Sequence, residues 1–121
     1  MKYLINILSV LLLNLILSCT TIASLTEEPI KPQTQTIKDL SIYEAKLSDY
    51  VMYLQVFLTR TKKKFPNDID YPKFNYFDAS LLKSQSTTDA LLFNIGLLKE
   101  YIKITKPIAQ SVYKKYSKLI N

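Results

Sequence analysis

Histidine and tryptophan are missing from this 121-residue chain, and cysteine and glycine occur once each. Without histidine there is no Ser-His-Asp triad, no Cys-His dyad and no histidine metal site. The single cysteine, Cys19, cannot close a disulfide within one molecule. Acidic side chains are also few, 10 against 16 Lys and Arg, giving a net charge of +6 that falls to +5 if Lys2 is removed. Asp68, Asp70 and Asp78 could supply paired carboxylates for glycoside cleavage, but they fall in or beside one loop of a chain too short for a deep cleft. Asn67-Asp68-Ile69-Asp70 lacks the spacing and the distal glutamate of a calcium loop and reads as a turn. The composition therefore points away from an enzyme, and no metal or catalytic residue is expected.

The amino terminus is more specific. Lys2 precedes an apolar run from Leu4 to Leu17, too short for a comfortable membrane span and the right length for a signal sequence. The run ends in Ile16-Leu17-Ser18-Cys19, where apolar sequence gives way to polar. This tetrapeptide resembles the lipobox of bacterial lipoproteins, with Leu17 in the bulkier style of spirochaete (Borrelia-type) surface lipoproteins. The resemblance implies cleavage between Ser18 and Cys19, then a diacylglyceryl group and an amide-linked acyl chain on Cys19. No other cofactor is implied. One acyl chain holds a protein marginally, whereas several make a firm anchor at the outer membrane or cell surface. A cleaved secretory signal or an uncleaved amino-terminal anchor are the alternatives, and either leaves the remaining chain outside the cytoplasm. Residues 1–18 thus read as a lipoprotein signal peptide, 19–35 as lipidated cysteine and flexible tether, and 36–121 as a helical domain.

Residues 20–35 carry Thr, Ser, Glu, Pro and Gln with no apolar period, and Pro29 and Pro32 prevent a helix. Fully extended, this stretch would reach about 50 Å and hold a domain clear of the headgroups. From Thr36 the pattern changes: Ile37, Leu40, Leu47, Val51, Leu54 and Leu58 follow three-and-four spacing, with Glu44 in the one missing step. Tyr43, Tyr50 and Phe57 recur every seven residues beside that seam. This predicts a long amphipathic helix, opened by Thr36 with Asp39 or by Ser41 with Glu44, and closed between the Arg60–Lys64 cluster and Pro66.

A second seam, Leu91, Ile95, Leu98, Ile102, Thr105, Ala109, Val112, Tyr116 and Leu119, keeps its register through Pro107. It predicts one helix from about Asp89 to Ile120, bent at the proline, although an internal proline costs ~3 kcal/mol. Gly96 within it suggests close approach of another backbone, with a tolerated defect as the alternative. Between the helices, Asp78 is placed to cap a short helix. The expected fold is all-α: an antiparallel hairpin of two long helices plus a short connecting helix. Below ~80 residues such a core is marginal, and a dimeric bundle using Leu92, Phe93, Leu97 and Ile104 would relieve it.

The connection from Lys64 to Asp78 is dense in aromatic residues, and each ring can bury ~150 Å² or more. Either these rings fold back as a lid on the core, or they form an exposed patch for a protein partner, with Tyr71, Phe74, Tyr76 and Phe77 as the contact residues. A basic group at Lys99, Lys103, Lys106 and Lys114 suits an anionic polymer, or simply complements a helix end. With Arg60 the only arginine, nucleic acid is disfavoured. The functional expectation is a membrane-anchored lipoprotein presenting a helical domain to an unidentified protein. An envelope exclusion or immunity lipoprotein, acting against phage, plasmid or toxin, is the alternative.

Overall fold

The computed structural model describes residues 25–120. The predicted signal peptide, its predicted cleavage point at Ser18 and the predicted lipid acceptor Cys19 lie outside these residues. Among the described residues there are two long helices, α1 (Ile37–Lys64) and α2 (Thr88–Ile120), with a single 3₁₀ turn at Ala79–Leu81 between them and no strand.

Each boundary has a local cause. Thr36 Oγ1 accepts the Asp39 amide at 3.2 Å and opens α1, as the sequence suggested. The Phe65 amide donates to the Lys62 carbonyl at 3.2 Å and closes it, with Lys62, Lys63 and Lys64 in the last turn and Pro66 just beyond. Thr87 Oγ1 accepts the Ala90 amide and opens α2. Asp78 caps the 3₁₀ turn through the Ser80 amide at 3.1 Å. Helix α2 continues through Pro107, so the unbroken register reflected one helix.

The helices pack along the expected seams, but they run parallel, not antiparallel as the sequence suggested: Glu44 of α1 meets Asn94 of α2, Phe57 meets Tyr113, and Phe65, just past the end of α1, meets Tyr116 near the end of α2. The physical reason is the connection, residues 65–87, which is long enough to return to the start of α1 before α2 begins. Leu47, Leu54 and Leu58 from α1 meet Leu98, Ile102 and Val112 from α2, all essentially without solvent contact. The seams are shorter than the periodicity implied: Ile37 is 49% exposed and Leu119 67% exposed, because neither has a partner helix beyond the ends of the pair. Tyr43 is buried and fills the step that Glu44 left vacant, while Glu44 turns aside and accepts from Asn94 Nδ2 at 3.2 Å.

Two helices alone would leave both flanks of this core wet. The chain covers them with irregular segments. On one flank the loop 65–87 runs back along the helix pair to the start of α1: Tyr71 Oη donates to the Leu58 carbonyl, the Phe77 amide to Gln55, and Tyr101 Oη to the Asn75 carbonyl. Asn94, fully buried in α2, accepts the Lys83 amide and donates to the Lys83 carbonyl, both at 2.8 Å. On the other flank, residues 25–35 lie as a strap against the helices rather than as the free tether expected for them. The Thr26 amide donates to Tyr53 Oη at 3.0 Å, Glu28 pairs with Lys106 at 3.3 Å, and Leu25 packs on the core. No short-range pattern signals this, because the strap is held by one backbone amide, one ion pair and half-buried Leu25, Pro29 and Pro32.

Gly96 is not a site of backbone approach: a Cβ built there meets nothing within 4 Å. It is an exposed, helical glycine that loses conformational entropy on folding without a packing return. Gly96→Ala should therefore stabilise the domain by about 0.5–1 kcal/mol, read as a raised urea midpoint. An unchanged or lowered midpoint would show that the glycine serves something other than packing.

Candidate functional site

The four aromatic residues predicted as a contact patch divide. Tyr71 is buried where the carboxyl-terminal ends of the two helices meet, and its ring lies 5.5 Å from Tyr116, which in turn lies 4.8 Å from Phe65. Burial, and secondarily the neighbouring Tyr116, push the Tyr71 phenol up to about 12. Phe74 and Phe77 are half-buried against the core, with Phe77 edge-on to Tyr101 at 5.5 Å. Only Tyr76 stands out, 64% exposed, with its hydroxyl 3.0 Å from Thr59 Oγ1 and its ring 5.5 Å from Phe74. So the loop is mainly a lid, as an aromatic segment in water should be, and it leaves one ring at the edge.

That edge borders a groove of ≈ 680 Å³ between α1 and the returning loop. Its walls are Met52 and Val56 on one side and Tyr76, Phe77 and Leu82 on the other. Met52 is 60% exposed. Arg60 and Lys63 stand at one end and Asp49 at the other. Sequence reasoning missed Met52 and Val56 because they lie on the side of α1 opposite its core seam, where an apolar residue carries no periodic signal of its own.

The acidic residues of the loop are structural. Asp68 Oδ1 accepts the Asp70 amide at 2.9 Å in a local turn, and Asp68 Oδ2 accepts from the Tyr116 hydroxyl, with Lys115 at 4.0 Å. The Tyr116 hydrogen bond, more than any other influence, lowers the Asp68 carboxyl below its ordinary range. Asp78 is occupied in capping Ser80. Among the described residues no group of three or more His, Cys, Asp or Glu is arranged to hold a metal, and no helix is long and apolar enough to cross a membrane.

The predicted dimer residues are left uncovered. Leu92 is 40%, Phe93 43% and Ile104 66% exposed, Leu97 is half-buried, and Lys83 Nζ lies 4.3 Å above the Phe93 ring.

A small pair of parallel helices, strapped on one flank and lidded on the other, behind an amino-terminal stretch of lipoprotein type, defines the class: a compact envelope lipoprotein of the spirochaete kind. The chain belongs to the Borrelia orf-D family, whose match spans residues 24–118 and so takes in the strap as well as the helix pair. It is 55% identical over 106 residues to the outer membrane lipoprotein BBA14 of Borreliella burgdorferi, covering 88% of this chain and 87% of that protein. With that relationship, the chain is a lipid-anchored lipoprotein of the outer membrane.

Proposed function

We propose that this lipoprotein is non-enzymatic, carries its lipid on Cys19, and presents the groove between α1 and the loop to a protein partner. The observation that carries the reading is the groove itself: apolar walls standing in water, with Met52 and Tyr76 both more than half exposed. Arg60 and Lys63 at one end favour a polypeptide whose apolar residues are followed by acidic ones. Tyr76 is the kind of rigid, amphipathic side chain that anchors such contacts. The absence of histidine, together with Asp68 and Asp78 already engaged in local hydrogen bonds, supports the non-catalytic reading.

The anchor is tested by fatty-acid labelling of cells expressing wild type or Cys19→Ala, with protease treatment of intact cells to report the exposed side. Label is expected in the wild type and absent from the variant. For the groove, a ligand captured from envelope extract or host serum by the wild type should bind Met52→Lys and Tyr76→Ala at least about tenfold more weakly, a loss of ~1.4 kcal/mol or more. Lys103→Gln, on the strap flank, should bind as the wild type does. Equal capture by all four proteins would place the contact elsewhere.

A further inference from the structure

The strap fixes where the anchor leaves the domain, and we infer that it seats the helix pair side-on against the membrane. In this arrangement the strap flank faces the headgroups and the groove faces away. The inference rests on the proposal that Cys19 carries the lipid.

The strap starts at Thr36, at the first turn of α1, and runs back along the helix until the Thr26 amide meets Tyr53 Oη. Tyr53 is sixteen residues into α1, which places the chain's exit about 24 Å along the helix at ~1.5 Å per residue. The domain is therefore suspended from the middle of its flank, not from an end. Six peptide steps remain between Leu25 and Cys19, a reach of at most ~20 Å. Standing the helix pair on either end would use nearly all of that reach on the length of α1 and leave none for the headgroup layer. Lying on the strap flank needs only a fraction of it.

The groove follows from helix geometry. Tyr53, under the strap, and Gln55, which accepts the Phe77 amide under the loop, are two residues apart and so about 200° apart around α1. Strap and loop thus occupy opposite flanks, and on α2 the same division sets Lys106, paired with Glu28, against Tyr101, bonded to Asn75. Exposed Lys99 and Lys103 flank the strap beside Glu28 and stand toward the phosphates in this seating, but Glu100 lies among them. Geometry, more than net charge, holds the orientation.

The test uses the full lipidated protein in vesicles. Acylation consumes the only native thiol, so a second, introduced cysteine is the only one that takes a fluorophore. Lys103→Cys labels the strap flank, Ser84→Cys the loop flank, and Asn67→Cys the carboxyl-terminal end of the helix pair, all three at exposed positions. Energy transfer to acceptors on the lipid headgroups is expected to be severalfold stronger from Lys103→Cys than from Ser84→Cys, with Asn67→Cys between them. A second pair of changes, Tyr53→Phe with Glu28→Gln, frees the strap, lengthens the tether and should collapse the difference. Equal transfer from both flanks in the strapped protein, or strongest transfer from Asn67→Cys, would overturn the side-on seating while leaving the anchor intact. A protein that fails to associate with vesicles, and whose Cys19 reacts with the dye, would instead overturn the lipid reading itself.

Discussion

Tyr116→Ala is expected to remove ~3–5 kcal/mol of stability, the range for deleting a buried aromatic side chain, and so to bring a domain of this size close to unfolding. The ring is 2% exposed and is the shared neighbour of Phe65 and Tyr71, while its hydroxyl donates to Asp68. One side chain of α2 therefore holds the end of α1, the start of the loop and the turn at Asp68 together. Tyr116→Phe keeps the ring contacts and loses only the hydrogen bond, at a cost of about 1 kcal/mol. Leu119→Ala, three residues on and 67% exposed, should change stability by less than about 0.5 kcal/mol. Urea unfolding followed by helical circular dichroism separates the three. If Tyr116→Ala were no worse than Leu119→Ala, the cluster of Phe65, Tyr71 and Tyr116 would not belong to the cooperative core.

That comparison also marks where the sequence was readable and where it was not. Periodicity located both helices, their caps and the continuity through Pro107, because a helix repeats its contacts every three or four residues and an interrupted register would have shown. It placed Tyr116 and Leu119 in one seam, although only Tyr116 has something to pack against. Periodicity reports a face of the helix, not the length of the neighbour covering that face. The same limit explains Ile37 at the other end.

The irregular segments were harder. An aromatic loop in water has to bury rings, and the sequence supported a lid, but nothing local distinguished Tyr71, bonded to the Leu58 carbonyl, from Tyr76, which remains at the surface. The strap was the larger miss. Its ion pair joins residues 78 apart, and its one main-chain bond uses a tyrosine hydroxyl, so no short-range pattern could announce it. A signal did exist on the other partner: Tyr43 and Tyr50 stand every seven residues beside the leucine seam, with Tyr53 next to them, more apolar width than a single facing helix can cover. A flank that broad needs a cover, and the nearest unassigned segment was the supposed tether.

Those same tyrosines make the domain sensitive to base. Burial raises the phenols of Tyr43 and Tyr50, with Glu28 adding to the effect, and burial also raises Tyr101. Tyr116 is raised first by its bond to the Asp68 carboxylate, then by burial, and Tyr71 reaches about 12. In each case the folded-state value lies above that of the unfolded chain, so the unfolded state releases its proton first as the pH climbs. Stability is therefore intact below about pH 10, the ordinary phenol value, and is lost as the pH rises through the folded-state values toward that of Tyr71. The groups lie in the strap flank, the loop flank and the carboxyl-terminal end, so ionisation strips every cover from the helix pair within one interval. The expected result is a single cooperative transition between about pH 10 and 12, in which tyrosinate absorbance rises and helical circular dichroism falls together. Tyr71→Phe should shift that transition upward, provided the lost bond to Leu58 leaves the variant folded at neutral pH. Tyrosinate absorbance that saturates while the helical signal stays intact would mean that these phenols titrate in the folded protein, and that the strap and lid do not shield them.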